Sequence, residues 1–366
     1  MDFYQPAHVI TGIGCVEKNS HLLKKLGKHA LVVTGSSSAV RSGAFADVTA
    51  ALEKEQLKWD LFDEVKPNPT VSSCAEAGRF ASGKGADMII GIGGGSPLDA
   101  AKAISAFAAN PDMDEAAFYS AKWPNRPLPI VLVGTTAGTG SEVTSVSVLI
   151  DSSGKKHSIH DPRFYAAFSF GDPRYTMSLP QDITLSTGID AVAHCLESAL
   201  SHKADTASRI FSAEGIRLAC PILRAASSGQ ELTLAQRETI YEASLFGGMA
   251  INRTGTAFPH TMGYYLTERY HIPHGFASAV FMPDLLAHAE ACAPRYLETL
   301  LDRAQVTKDQ LLTLLDACLP PLTAKATRQE ILDAFPRWQN NGSVKNTIGN
   351  VSEEDVLRII EKHLVK

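Results

Sequence analysis

A chain of 366 residues exceeds one ordinary domain, so two are expected. With 45% hydrophobic and 20% charged residues it has material for a substantial core, and a net charge of −5 supplies no basic field for nucleic acid. The opening MDFYQPAHVI lacks the basic and apolar regions of a secretory signal, and no apolar run approaches the length of a membrane span, so neither export nor a membrane partner is expected. The six cysteines (Cys15, Cys74, Cys195, Cys220, Cys292 and Cys318) form no CxxC pair, which fits a cytoplasmic protein better than a disulfide framework.

The first half alternates short apolar runs with helical patterns, the signature of a parallel α/β sheet. His29–Thr34 reads as a buried strand ending at Gly35, followed by a helix over 40–56 and a strand near 61–65. The breaker at 66–70 leads into another helix, with Thr70 as candidate N-cap. A strand over 87–92 runs into Gly93-Gly94-Gly95-Ser96-Pro97, and a helix continues over 98–108. A strand at 129–133 precedes a second loop, Thr135-Thr136-Ala137-Gly138-Thr139-Gly140-Ser141, and the segments 144–151 and 155–160 read as a hairpin. From Asp182 onward amphipathic helices dominate. The expected organisation is an α/β dinucleotide-binding domain over 1–172 and an all-α metal-binding and substrate domain over 173–366.

Gly93, Gly94, Gly95 and Ser96 lie between a strand and a helix, where free backbone amides and the helix dipole favour an anion. Glycines there let a pyrophosphate approach the backbone, although a tight strand–helix turn needs them too. The spacing is not GxGxxG, so this is not the usual Rossmann fingerprint. The hydroxyls of Thr135, Thr136, Thr139 and Ser141 offer donors to phosphate or ribose. Two such loops after successive strands share one sheet edge, where α/β proteins bind ligands.

In the second half, Asp190 and His194 are spaced to share one helical face within an apolar segment. His260 and His274 each stand beside a Pro or Gly. One carboxylate and three imidazoles suit a divalent transition metal with a position left for substrate oxygen. A buried Asp–His hydrogen bond satisfies the first pair equally well. Cys195 reads as core, Glu197 as a helix-surface carboxylate, and His157, His160 and His202 as loop histidines.

The chain resembles the iron-containing (group III) alcohol dehydrogenases. The likeness rests on Gly93–Lys102 (GGGSPLDAAK), on Thr135–Thr144 (TTAGTGSEVT), on Gly188–His194 (GIDAVAH) and on Pro273-His274-Gly275. It implies a dehydroquinate synthase-like fold with the active site in the cleft between the domains. It also implies one Fe²⁺ or Zn²⁺ held by Asp190, His194, His260 and His274. NAD(H) or NADP(H) would lie on the two loops, with Asp99 and Lys156 contributing, and a homodimer or higher homo-oligomer is common in the family.

Three positions depart from that pattern. Tyr264 stands where many relatives carry a proton-relaying histidine. Gly35, followed by serines, stands where relatives specific for NAD often carry an acid, which leaves the coenzyme choice open. Arg253, seven residues before His260, is usually neutral in relatives, and its guanidinium suits an anionic group on the substrate. The expected activity is metal-dependent, NAD(P)H-linked interconversion of a short aldehyde and its primary alcohol. Sulfoacetaldehyde or phosphonoacetaldehyde are the sharper candidates, with 4-hydroxybutyrate, alkanol or diol oxidation as the alternative. A dehydroquinate synthase-like cyclising lyase is the alternative from another class. A nucleotide-binding protein without catalysis is disfavoured by the complete ligand set.

Overall fold

The computed structural model describes residues 3–365. These fall into two compact units: one comprises Tyr4–Leu179 with Thr233–Tyr241, the other Pro180–Leu232 and the chain from Glu242 onward. The division thus follows Leu179 rather than Asp172, and the 3₁₀ turn Pro173–Thr176 stays with the sheet. Buried Asp172 explains this: it accepts bonds from the Gly14 amide at 2.6 Å and from Arg174, holding the turn to the first strand's exit.

In the first unit the chain runs through β1 (His8–Thr11), α1 (Cys15–Lys18), β2 (His29–Thr34), α2 (Ser38–Arg41), α3 (Ala44–Lys54) and β3 (Lys58–Phe62). It continues through α4 (Val71–Lys84), β4 (Met88–Gly93), α5 (Gly95–Ala109), α6 (Glu115–Ser120) and β5 (Ile130–Gly134). The hairpin strands β6 (Val146–Ile150) and β7 (Lys156–His160) follow, and β8 (Phe168–Gly171) closes the unit's main run. Six strands form one parallel sheet in the order β1-β8-β5-β4-β2-β3.

The central strands β2, β4 and β5 are predominantly apolar because both sheet faces are covered there. Leu31, Val33, Ile89 and Leu132 pack on one face with residues of α4 and α5; Ala30, Val32, Ile90 and Val131 pack on the other with residues of α3. Thr70 caps α4 as expected, its hydroxyl accepting from the Ser73 amide at 3.1 Å.

Several elements differ in extent from the sequence expectation. The expected helix over 40–56 is two helices, because Gly43 adopts a left-handed φ of 84° between them. The third strand lies at Lys58–Phe62 rather than 61–65, aligned by β2, where His29 pairs with Lys58 and Val33 with Phe62. Helix α5 begins at Gly95, since Ser96 and Pro97 occupy its first turn. His157 and His160 lie on β7 rather than in a loop. The four-residue strands β1, at the sheet edge, and β8, between β1 and β5, have no strand signal in the sequence because four residues carry too little alternation to stand out.

The second unit contains no β-strand among its described residues. Its helices include α7 (Gln181–Ala199), α8 (Thr206–Ser227), the later part of α9 (Leu234–Thr254), α10 (Phe258–Tyr270), α11 (His274–Ala279) and α12 (Met282–Cys292). Further helices continue to Glu353–Leu364. No helix among the described residues is long and apolar enough to cross a membrane.

Candidate metal centre and nucleotide loops

Within the helical unit, α7 presents Asp190, His194 and Glu197 at i, i+4 and i+7, one stripe of a buried helix. His260 lies in the first turn of α10, and His274 opens α11 directly after Pro273. Gly275 makes this approach possible, since a Cβ there would lie 1.8 Å from the Ser186 carbonyl oxygen and 3.0 Å from the Asp190 Cβ. With hydrogen in that place, α11 closes on α7 and brings His274 to Asp190.

Four side chains converge. Asp190 Oδ1 lies 3.5 Å from His260 Nε2, 3.9 Å from His194 Nε2 and 4.0 Å from His274 Nε2. The His194 and His260 rings stack with centroids 4.7 Å apart, and His274 meets His260 edge-on at 5.1 Å. At 3.9 Å, Asp190 Oδ1 and His194 Nε2 do not form the direct hydrogen bond that their spacing also allows.

The geometry fits a shared cation. Ligand atoms about 2.0–2.2 Å from one ion sit roughly 3–4 Å from each other, and the three distances from Asp190 Oδ1 fall in that range. Asp190 Oδ1 and His260 Nε2 are buried and make no hydrogen bond of proper geometry. A buried carboxylate oxygen left without a donor is costly, and a cation removes that cost. Asp190, His260 and His274 bring one potential ligand atom each to within 4.8 Å of one another, whereas His194 stands outside that group, its Nε2 3.9 Å from Asp190 Oδ1. Burial by itself raises the Asp190 pKa, but the charges of His194, His274 and His260 outweigh it and hold the carboxyl well below its ordinary range.

Glu197 is not a surface group: it is 0% exposed. One carboxylate oxygen accepts from His260 Nδ1 and the other from the Ala257 amide at 2.5 Å. With the proton kept on Nδ1 and hydrogen-bonded to Glu197, a neutral His260 ring would carry its lone pair on Nε2, turned toward Asp190. The i+3 spacing from His194 was the available signal, but an acidic residue on a helix defaults to solvent unless its partner, 63 residues away, is known. Tyr264 lies one turn after His260 on α10 and stacks on the His274 ring at 5.3 Å. Arg253 is in the last turn of α9, where its Nε donates to Asp205 Oδ2 at 3.0 Å.

In the sheet unit the strand order marks where a second candidate site lies. The chain leaves β2 for β3 on one side and returns to β4 on the other. The exits of β2 and β4, Gly35 and Gly94-Gly95-Ser96, therefore flank a topological switch point, where open α/β sheets bind ligands. The second loop follows the neighbouring strand β5, and the Thr135 amide donates to the Gly93 carbonyl at 2.9 Å.

The glycines serve loop-to-loop packing. A Cβ on Gly94 would lie 3.0 Å from the Thr136 side chain, and one on Gly95 would lie 2.7 Å from Thr139 Cγ2. Ser96 Oγ accepts from the Asn68 amide at 3.2 Å. Asp99 accepts from Ser141 Oγ at 2.6 Å and from the Val148 amide at 3.1 Å. Lys156 opens β7 opposite Ile150. Lys102, singled out in the sequence only as the end of a motif, is completely buried among these groups.

Comparison with known proteins places these features in a family. Residues 6–173 match the model of iron-containing alcohol dehydrogenases, and 184–336 match the C-terminal model of Fe-containing alcohol dehydrogenases. The chain is 32% identical to the sulfoacetaldehyde reductase of Bilophila wadsworthia, over 76% of this chain and 72% of that protein. It is 32% identical to alcohol dehydrogenase 4 of Schizosaccharomyces pombe, over 79% of this chain and 67% of that protein. The crystal structure of an iron-containing alcohol dehydrogenase from Thermotoga maritima superposes with a TM-score of 0.90 at 31% identity, covering 99% of both chains.

Proposed function

We propose, for a chain that belongs to the iron-containing alcohol dehydrogenase family, that it reduces a short anionic aldehyde to its primary alcohol with NADH or NADPH at one divalent ion. Asp190, His194, His260 and His274 are the proposed ligands of Fe²⁺ or Zn²⁺, both of which accept this donor set. The observation carrying the reading is that three imidazole nitrogens lie within 4.0 Å of one buried carboxylate oxygen. When bound, the ion supplies Lewis acidity at the carbonyl oxygen and the reduced nicotinamide supplies the hydride.

The chain's own residues bind and orient. Asp190 contributes the negative charge of the ligand set, and Glu197 fixes the His260 ring. Tyr264, stacked on His274, is the proposed proton carrier for the alcohol oxygen, the role given to histidine in many relatives. Gly35, Gly93, Gly94, Gly95, Ser96, Thr135, Thr136 and Thr139 are proposed to line the coenzyme site, with Asp99 and Ser141 bracing it and Lys156 near the nicotinamide ribose.

Arg253 is the proposed recognition group for a sulfonate or phosphonate. Asp205 accepts from its Nε at 3.0 Å and the side chain retains 37% exposure; the terminal nitrogens of the fork are proposed to take the anion. Identity to a sulfoacetaldehyde reductase supports the same substrate class. The test is kcat/KM for sulfoacetaldehyde, phosphonoacetaldehyde, succinic semialdehyde and butanal, with wild type and Arg253→Ala. The anionic aldehydes are expected to lose at least tenfold relative to butanal; equal losses on all four would refute the clamp. Absence of coenzyme oxidation with every aldehyde would refute the reductase reading itself.

A further inference from the structure

Lys102 lies on α5, one turn after Asp99, with its side chain 0% exposed. Its ammonium has three protons and three oxygen acceptors: Ser141 Oγ at 2.7 Å, Thr144 Oγ1 at 3.2 Å and the Val146 carbonyl at 2.7 Å. Asp99 Oδ1, 3.6 Å away, is its counter-charge and accepts from the same Ser141 hydroxyl. Asp99 also binds the Val148 amide through Oδ2, while its carbonyl accepts from Ser147 Oγ at 2.8 Å. Two side chains of one helix thus gather the end of the second loop and the first strand of the hairpin.

A hydrophobic side chain would fill the same interior volume more cheaply, since a buried ammonium is tolerated only when every donor is matched. The matched set fixes one arrangement. Ser141 ends the loop whose Thr136 and Thr139 face Gly94 and Gly95, and Val146 begins the hairpin carrying Lys156. The ammonium therefore ties the first glycine loop, through the helix it opens, to the second loop and to the hairpin.

We propose that Lys102 is a positioning residue for the coenzyme, holding the loop 135–141 and the β6–β7 hairpin against α5 so that the two glycine-rich loops present one preformed dinucleotide site. This rests on the assignment of those loops to the coenzyme. A strut of this kind acts on binding: without it the loop samples other conformations, and apparent affinity falls by the fraction of time it is misplaced.

The experiment measures NADH and NADPH dissociation constants by fluorescence, with steady-state kinetics in parallel, for wild type, Lys102→Met and Ser141→Ala. Lys102→Met is expected to raise the dissociation constant and KM of the coenzyme at least tenfold. Its kcat at saturating coenzyme should stay within threefold and its aldehyde KM should be unchanged. Ser141→Ala, which removes one of the three acceptors and one Asp99 bond, is expected to give a smaller rise, about threefold. A folded Lys102→Met that binds coenzyme like wild type, or loses kcat alone, overturns the proposal. If Lys102→Met does not fold, Thr144→Val, which removes an acceptor of the ammonium at a residue outside the proposed coenzyme site, decides by the same two readouts. Wild type binding neither coenzyme overturns this proposal together with the assignment beneath it, and no variant is needed to see it.

Discussion

Replacing Glu197 by Gln tests the metal centre through a residue that touches no proposed substrate. The carboxylate faces two donors, His260 Nδ1 and the Ala257 amide, and both of its oxygens accept. Glutamine keeps the volume but offers one oxygen and one NH₂ group. Whichever way it turns, one donor meets a donor, and the negative charge opposite His260 is gone. Losing a hydrogen bond to a charged group costs about 1.5–3 kcal/mol, and loss of an outer partner of a ligating histidine lowers metal affinity about 10–100-fold. A tenfold change corresponds to about 1.4 kcal/mol, so the two scales agree at their lower ends. Glu197→Gln is therefore expected to weaken zinc binding about tenfold, and Glu197→Ala, lacking both acceptors, by closer to a hundredfold. Competition of metal-free protein against a chelator of known affinity measures this directly, with circular dichroism to verify folding. A folded Glu197→Gln that binds zinc within twofold of wild type would refute the argument that this carboxylate orients His260.

Gly275→Ala drives a methyl group into the Ser186 carbonyl; overpacking of this kind costs about 1–3 kcal/mol, and chelator competition should show weakened metal binding with it. Tyr264→Phe keeps the ring on His274 and is expected to leave metal affinity unchanged while lowering kcat by tenfold or more and altering its pH profile; an unchanged profile rejects the proton role. Asp172→Asn probes acid stability. Burial raises the Asp172 pKa, but bonds from Arg174 and the Gly14 amide more than offset this and hold it below its ordinary value. Its unfolded value is about 3.9, so its contribution is complete above that pH and is lost as pH falls through the lower folded value. Denaturation curves should show Asp172→Asn less stable than wild type at pH 7, with the gap closing below about pH 4.

What the sequence discloses about the fold follows from how local each signal is. The strands β2, β4 and β5 are runs of Val, Ile and Leu bounded by glycine, and burial on both faces leaves that pattern unambiguous. The Thr70 cap and the β6–β7 hairpin are likewise written in neighbouring residues. Strand β1 instead owes its existence to pairing with β8 across the whole unit, His8 beside Phe168, and β8 to pairing with both β1 and β5. Nothing within four residues reports a partner so distant. The division between the units was displaced for the same reason, because Asp172 is held by Gly14.

At the candidate metal centre the same distinction separates the ligands from what supports them. Asp190 and His194 are visible because α7 puts them on one stripe, and His260 and His274 because Pro259 and Pro273 fix the starts of the helices that carry them. Glu197 and Gly275 do as much for the geometry, yet each acts through atoms far away in sequence: the His260 ring and Ala257 amide for one, the Ser186 carbonyl for the other. A carboxylate three residues past a histidine reads as solvent-facing, and a glycine at a helix start reads as a turn. Only packing turns the first into an orienting group and the second into the gap through which α11 reaches α7. The residues that hold the four side chains together are for that reason the ones whose replacement should separate metal affinity from the chemistry of the ligands themselves.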